Sequence, residues 1–184
     1  MGSRFWVWLT GTTLFVLLLF AGAGLLIAKF AHKPLPEQFV TSYFEFDLAP
    51  GWWCERDGTE FVCYPERTEK HTAIAVIAMK ERNKVDTLEA YEDHLRKPQK
   101  AVSKDLPEGS LSEIRYVKRR MLGAHEWVEA LHAGSEIRDY LTYYLGTTTS
   151  HLGILVTMSV HKDKAGDSVR DLNQMMTSLS VHQK

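Results

Sequence analysis

The chain has 184 residues with 22 lysines and arginines, 23 aspartates and glutamates, and two cysteines. This composition excludes a disordered chain, a fibrous repeat and a small fold held together by several disulfides. No acidic residue precedes Glu37, and once Arg4, Lys29 and Lys33 are set aside the rest carries 19 basic and 23 acidic residues, a balance that argues against a nucleic-acid-binding protein.

The first predicted element is a transmembrane helix over residues 5–28, preceded by a short tail at residues 1–4. The segment carries no charge, and as a helix it spans about 36 Å, enough to cross a hydrocarbon core of about 30 Å. Trp6 and Trp8 are typical of side chains that anchor a span at the membrane interface. Gly24 and Ala28 lie on one helix face and predict a place where another membrane helix can approach closely.

The competing interpretation of this segment is a cleaved signal peptide. Ala21-Gly22-Ala23 offers the small residues that a cleavage site needs. Against cleavage, the apolar run continues through Ala28 and is longer than the roughly 7–15 residues usual for a signal peptide. We therefore favour an uncleaved anchor, followed by a polar tether at residues 29–41 whose prolines end the helix.

A strand is predicted where Phe44, Phe46 and Leu48 alternate with acidic residues, a pattern typical of a strand with one buried side. Trp52 and Trp53 follow this strand. Because neighbouring residues of a strand face opposite sides, we expect one tryptophan in the core and the other exposed or in contact with a partner.

Cys54 and Cys63 flank a predicted hairpin. If Gly58 and Thr59 form its two-residue loop in a type II′ turn, the cysteines lie directly opposite each other at a distance that suits a disulfide. A type I′ turn at Asp57-Gly58 would leave them out of register and unbonded, and a buried pair of free thiols is a further alternative. The spacing lacks the close cysteine pairs of a zinc site. We favour the disulfide, which implies an oxidising compartment.

The next strand, Ala73–Met79, is apolar without alternation, which predicts a strand covered on both faces and helices lying on the sheet. A helix follows it, with Asp86 as the predicted N-cap and Glu89 reaching back from the first turn. The side of this helix that faces inward is predicted to consist of Leu88, Tyr91 and Leu95.

Four further strands are predicted at residues 113–121, 126–131, 137–145 and 152–160, the last of them apolar and central. Asp167 is the predicted cap of a final helix, whose apolar residues recur at helical spacing: Val169, Leu172, Met175, Met176 and Leu179. This order of elements indicates an α+β fold, with a mainly antiparallel sheet sandwiched between helices.

Four stretches of the sequence resemble PsbP/Mog1/DcrB-like domains. They are the opening Phe44-x-Phe46-x-Leu48-x-Pro50-Gly51-Trp52, the helix start Thr87-Leu88-Glu89-Ala90-Tyr91, the strand Gly153–Met158 and the closing Thr177–Val181. The resemblance covers residues 42–182, and we assign residues 42–184 to one soluble domain. It implies an α/β/α sandwich that acts as a binding or assembly-assisting module, without a catalytic centre shared by the family.

The sequence lacks a P-loop, a dinucleotide fingerprint, a His-Glu-x-x-His motif and a nucleophile elbow, and its eight histidines lack the spacing of a metal site. The basic run Lys118-Arg119-Arg120 is either a solvated face or a contact for anionic lipid or an acidic partner. We predict a protein that is not an enzyme and needs no cofactor or metal, anchored in a bacterial inner membrane with its C-terminal domain in the periplasm. Its expected role is that of an accessory or assembly subunit that binds a protein partner or a membrane complex. The alternative is a domain that binds a small molecule or lipid, and an unrecognised enzyme is the third interpretation.

Overall fold

A computed structural model describes residues 37–65, 71–101, 107–135 and 139–182. The predicted tail at residues 1–4, the predicted span with Trp6, Trp8, Gly24 and Ala28, and most of the predicted tether lie outside these residues. Within the described ranges, no helix has both the length and the apolar character that crossing a membrane requires.

The described residues form ten strands and two α-helices. In chain order these are β1 (Gln38–Val40), β2 (Phe44–Asp47), β3 (Trp53–Asp57), β4 (Glu60–Tyr64), β5 (Ala73–Glu81), α1 (Leu88–Leu95), β6 (Glu113–Leu122), β7 (His125–Ala133), β8 (Tyr140–Thr148), β9 (Leu152–His161), α2 (Ala165–Thr177) and β10 (Ser180–Val181). A single 3-10 turn, Lys162–Lys164, leads into α2. The four strands predicted between residues 113 and 160 are present, and the third of them ends three residues later than predicted.

Seven of these strands form one antiparallel sheet, in the order β3-β4-β5-β9-β8-β7-β6, and the other three form a small antiparallel sheet in the order β1-β2-β10. The predicted α+β fold with a mainly antiparallel sheet is confirmed, and β9 lies at the centre of the large sheet. Strand β1 falls inside the residues that the sequence assigned to the tether, so that assignment is wrong for residues 38–40. The strand joins the fold because Phe39 packs against Phe46 and Phe61, with ring centroids 5.5 and 5.7 Å apart.

The main core lies on one face of the large sheet, beneath α2 and the small sheet. Its largest fully buried members include Phe44, Phe46, Ile77, Trp127, Tyr143, Met158, Leu172, Met175 and Met176. Because the helix and the small sheet share this face, burial of their apolar sides fixes both of them against the same strands.

A smaller core lies on the opposite face of the large sheet, beneath α1. Leu95 of the helix is 1% exposed and belongs to a cluster with Val128, Ala130 and Tyr144. Tyr143 and Tyr144 are neighbours in β8 but belong to different clusters, so the two helices lie on opposite faces of the sheet.

Helix α1 is capped by a different residue from the predicted one. The hydroxyl of Thr87 accepts a hydrogen bond from the backbone N–H of Ala90 at 3.2 Å, which satisfies an otherwise unpaired donor of the first turn. Asp86 is instead engaged by the ammonium of Lys80 at 2.6 Å and by the backbone N–H of Asn83. The prediction of Asp86 as the cap is therefore wrong by one residue.

The prediction of Asp167 as the cap of the last helix is also wrong. The 3-10 turn runs directly into α2, which begins at Ala165 without a side-chain cap. Asp167 consequently lies inside the first turn, where an acidic side chain complements the helix dipole, and pairs with Arg170 at 3.1 Å.

Strand β5 alternates in burial, although its sequence predicted a strand covered on both faces. Ala73, Ala75 and Ile77 are at most 1% exposed, whereas Ile74 and Val76 between them are only half-buried. The half-buried residues point to the face that carries α1, but α1 packs over β6, β7 and β8. Among the residues that the structure describes, the helices therefore leave Ile74 and Val76 uncovered, and α1 approaches only the Lys80 end of β5.

Candidate functional site

The uncovered half of the large sheet is the candidate functional site, and we call it the open face. It consists of the side chains of β3, β4, β5 and β9 that point to the α1 side of the sheet: Trp53, Val62, Tyr64, Ile74, Val76, Ala78, Leu155, Thr157 and Ser159. The strand register places Val62 beside Val76, and Val76 beside Thr157, so the members form rows across the sheet. The open face is thus mostly apolar, with Val62 buried and its other members half-buried.

One end of the open face is aromatic. Trp53 stacks on Tyr64 across the β3–β4 hairpin, with ring centroids 4.9 Å apart, and Tyr64 lies 4.3 Å from the imidazole of His71. All three side chains are half-buried. Trp52, by contrast, is buried. It is 3% exposed, and its indole N–H donates to Asp171 of α2 at 3.3 Å. Of the two tryptophans, Trp53 is therefore the more exposed.

The hairpin that carries Trp53 is closed by a disulfide between Cys54 and Cys63, as predicted. The two cysteines pair directly across β3 and β4, and their Cα atoms are 4.1 Å apart. Gly58 has a φ of +60° and Thr59 does not have a positive φ, which fits the type II′ turn at Gly58-Thr59. The type I′ alternative at Asp57-Gly58 is excluded, because Asp57 does not have the positive φ that it needs and pairs with Glu60 in the strand register. The disulfide holds β3, an edge strand, against the rest of the sheet.

A cavity of about 380 Å³ opens between α1 and the open face. Tyr91 packs directly on two glycines, Gly146 of β8 and Gly153 of β9. A Cβ at Gly146 would lie 3.0 Å from Tyr91, and a Cβ at Gly153 would lie 2.9 Å from it. The walls are mainly apolar and include Ala78, Ala90 and Leu155.

The ion pair between Lys80 and Asp86 stands at one end of the cavity. The hydrogen bond from Lys80 is the largest cause that holds the pKa of the Asp86 carboxyl below its ordinary value. Asp86 therefore stays ionised and keeps Lys80 in place, which marks this end of the cavity as polar.

The outer edge of the open face is acidic. Glu55, Asp57 and Glu60 are exposed and, by the alternation of the strands, point to the same side of the sheet as Trp53 and Val62. Their negative charges favour basic groups on whatever molecule approaches this edge.

The basic run Lys118-Arg119-Arg120 on β6 is engaged within the domain. Arg119 pairs with Glu89 and Glu92 of α1 at 3.0 and 2.7 Å. Lys118 and Arg120 pair with Glu129 at 3.3 and 2.7 Å. These contacts occupy the cations that the sequence offered as a lipid or partner contact.

Glu129 is a buried carboxylate that the sequence did not single out. It is 2% exposed, and it accepts hydrogen bonds from Tyr116 and Arg120, both at 2.7 Å. Burial raises the pKa of Glu129, but the hydrogen bonds from Tyr116 and Arg120 help to outweigh burial, and the pKa is lowered overall. The cluster fastens the edge strand β6 to β7, and its groups satisfy one another rather than offering a reactive site.

His132 is a second buried polar residue, on the side of the sheet beneath α1. Its Nε2–H donates to the carbonyl oxygen of Leu95 at 3.0 Å, since a carbonyl can only accept. Its Nδ1 therefore accepts from the hydroxyl of Ser112, also at 3.0 Å. Burial is the largest cause that lowers the pKa of His132. The neutral imidazole thus holds the C-terminal end of α1 on the sheet.

We expect the stability of the domain to fall as the pH drops below about 6.5. The unfolded chain takes up a proton at His132 near pH 6.5, while the folded state resists it, so the free energy of unfolding decreases by up to about 1.4 kcal/mol per pH unit until the lowered pKa is reached. Urea unfolding between pH 5 and 7.5 measures the slope.

The control for this prediction is on the same strand. His132→Gln should flatten the slope, whereas His125→Gln, at the partly exposed far end of β7, should leave it unchanged. An equal slope in wild type and His132→Gln would contradict the prediction.

Within the described residues, no group of three or more histidine, cysteine, aspartate or glutamate side chains is arranged to hold a metal ion. The open face itself was not predicted, although its signal was present in the sequence. The unbroken apolar run of β5 indicated that both of its sides need cover, and only the structure shows that the domain's own helices cover one side.

No family model matches this sequence, and no curated protein matches it. Among solved structures, the domain is similar to a crystal structure from Bacteroides thetaiotaomicron, with a TM-score of 0.59 and 15% identity over 82% of this chain and 50% of the other. The chain therefore spans half the length of that protein.

The domain is also similar to cyanobacterial PsbP from Synechocystis, with a TM-score of 0.50 and 12% identity over 79% of this chain and 92% of the other. A further similar structure is LpqN of Mycobacterium tuberculosis, which is involved in cell envelope biogenesis, with a TM-score of 0.52 and 7% identity over 83% and 88%. Likeness at this level of identity establishes a shared fold, and it confirms the PsbP-like fold that the sequence resembles.

Proposed function

We propose that this chain is a membrane-anchored accessory protein that binds a protein partner through its open face and does not catalyse a reaction. The observation that carries the proposal is that the described helices leave one side of β5 and the adjoining part of β9 uncovered. Strand β5 is apolar on both sides, yet Ile77 is 1% exposed while Val76 on the open face is only half-buried. Leu155 of β9, which faces the same side, is half-buried as well. Apolar surface of this kind is stabilised when a partner removes it from water, and aromatic residues such as Trp53 are enriched at the centres of such contacts.

The proposed location is a bacterial inner membrane, with the domain in the periplasm. Two features support it: the uncharged segment at residues 5–28 and the Cys54–Cys63 disulfide, a bond that persists in oxidising compartments. Residues 29–37 extend at most about 32 Å, so a domain on this anchor stays near the bilayer and meets partners in or beside the membrane. The involvement of LpqN, which has the same fold, in cell envelope biogenesis is in keeping with such a role.

A photo-reactive amino acid at Thr157, in the middle of the open face, should crosslink to one discrete protein in intact membranes of the native host. The same amino acid at Gln174, exposed on α2 on the opposite side of the sheet, should not give this adduct. The expected contrast follows because only the first position lies on the surface that a partner covers. The measurement is the adduct pattern on a denaturing gel, followed by mass spectrometry.

The proposal fails if Thr157 gives no discrete adduct, or if Thr157 and Gln174 give the same set of neighbours. Either result would mean that the open face meets water or random proteins rather than a specific partner.

The second candidate function is the binding of a small molecule or lipid, and the cavity beside Tyr91 favours it. Its volume of about 380 Å³ lies within the range of about 300–1,000 Å³ that small-molecule sites occupy. In that case a ligand rather than a protein would cover this part of the sheet. The same crosslinking experiment separates the two candidates, because a small ligand leaves Thr157 without a protein adduct.

A further inference from the structure

We infer that the partner element on the open face is a single amphipathic α-helix, which lies over β5 alongside α1 and places one large apolar side chain in the cavity beside Tyr91. This inference rests on the proposed function and specifies the chemistry of the partner.

The backbone of the open face favours a helix over an extended strand. Strand β5 is bonded to β9 along Ala73–Glu81 and to β4 at Ala75–Ile77, so the middle of the strand, beneath the open face, offers no free edge to an added strand. A strand laid on this surface would bury its own N–H and C=O groups without partners, which costs free energy for each group. A helix pairs these groups internally and presents only side chains.

The width of the open face fits one helix. Helix α1 packs over β6, β7 and β8, and β5 is two strands away from β8 and three from β7, at about 4.8 Å per step. A second helix at the usual separation of about 8–10 Å from α1 would therefore lie over β9 and β5. A partner sheet of several strands would collide with α1 on this face, so the space suits a single helix.

The cavity marks where the incoming helix meets α1. It lies between the side of α1 that carries Ala90 and the open-face residues Ala78 and Leu155. Two helices that pack on one sheet bring side chains together along the line between them, and a void of about 380 Å³ on this line has room for a leucine or a phenylalanine.

The charges around the open face define the flanks of the helix. Glu55, Asp57 and Glu60 form the edge far from α1, so the flank that faces β3 should carry lysine or arginine. From Ile74 to Lys80 the strand extends about 20 Å, which corresponds to about 13 residues of helix. The partner segment is therefore short, with an apolar stripe and one basic flank.

The spacing of crosslinks distinguishes a helix from a strand. Photo-reactive amino acids at Ile74 and Ala78 stand about 13 Å apart along β5. Adducts mapped on the partner should lie about nine residues apart if it is helical, and about four residues apart if it is extended. Leu155 and Ser159 of β9 form a second pair with the same separation and should give the same spacing.

A variant of α1 tests the contact in the cavity. Ala90→Leu fills the cavity from the α1 side and should lower the yield of the Thr157 adduct at least about fivefold. Asp93→Leu puts the same side chain on an exposed position of α1 outside the cavity lining and should leave the yield unchanged. Thermal unfolding of both variants shows whether the domain itself is intact.

The outcomes separate this inference from the proposed function. The helix is supported if the adducts on the partner lie about nine residues apart and if the Thr157 adduct is lost in Ala90→Leu but not in Asp93→Leu. Spacing near four residues, an unchanged yield in an intact Ala90→Leu domain, or adducts that join two copies of this chain overturn the helix but leave a protein contact at the open face. Absence of any discrete adduct from the open face removes the proposed function, and the inference with it.

Discussion

Gly123→Ala should reduce the free energy of unfolding by about 3 kcal/mol or more, whereas Gly58→Ala should cost about 1–3 kcal/mol. Both glycines are the first residue of a two-residue hairpin loop, with φ values of +58° and +60°. The backbone strain that alanine introduces is therefore nearly the same at the two positions, and the difference between the variants reports the surroundings.

The surroundings differ sharply. A Cβ at Gly58 meets nothing within 4 Å, because the β3–β4 loop projects into solvent. A Cβ at Gly123 would overlap the carbonyl oxygen of Thr177, in the last turn of α2, and would approach its carbonyl carbon to 3.0 Å. Backbone atoms cannot move aside as a flexible side chain can, so either the β6–β7 hairpin or the end of α2 must shift.

Urea unfolding of the two variants beside wild type measures the difference. If Gly123→Ala is too unstable to purify while Gly58→Ala folds, the ranking is already as expected. Equal losses would show that the contact between the β6–β7 turn and α2 does not constrain the fold, and would contradict the prediction.

The local features of the fold were predictable from the sequence because short-range chemistry determines them. The Cys54–Cys63 pairing follows from a two-residue loop at Gly58-Thr59 and from counting outward along two strands. The alternation of Phe44, Phe46 and Leu48 gave a strand with one buried side, and all three are buried. Such signals need no knowledge of distant residues.

Features that depend on distant contacts were missed. Strand β1 pairs with β2 while Phe39 packs against Phe46 and Phe61, and nothing in residues 38–40 alone indicates these contacts. Asp86 looked like a cap, but Lys80 engages it from the preceding strand. The contact with Lys80, which depends on how the strand and the helix pack, therefore determines the role of Asp86.

Glu129 and the open face show the same limit for function. An acidic residue in a predicted strand suggests a solvated side, yet Tyr116 and Arg120 arrive from β6 to bury Glu129. Conversely, the apolar run of β5 indicated cover on both sides, which the fold provides on one. The sequence indicates that other residues must pack on both sides of β5. Only the positions of α1 and α2 show which side they leave uncovered.

The double variant Cys54→Ala/Cys63→Ala, which removes the disulfide, should lower the free energy of unfolding by about 2.6 kcal/mol. The bond closes a loop with a sequence separation of nine, and the loss of its constraint on the unfolded chain accounts for this magnitude. Wild type unfolded in the presence of a reductant is the matched control, because it loses the bond without any change of side chain. Both should show the same lower urea midpoint.

The disulfide also links stability to the proposed location and to the open face. The edge strand β3 has β4 as its sheet neighbour, so without the bond the Trp53–Tyr64 stack loses its covalent support and the Thr157 adduct should weaken.

In intact cells of the native host, the two cysteines should resist alkylation unless the protein is first denatured and reduced, because an oxidising compartment keeps them bonded. Thiols that alkylate after denaturation without reduction would contradict the periplasmic location, and a double-alanine variant as stable as wild type would show that the strand pairing alone holds the hairpin.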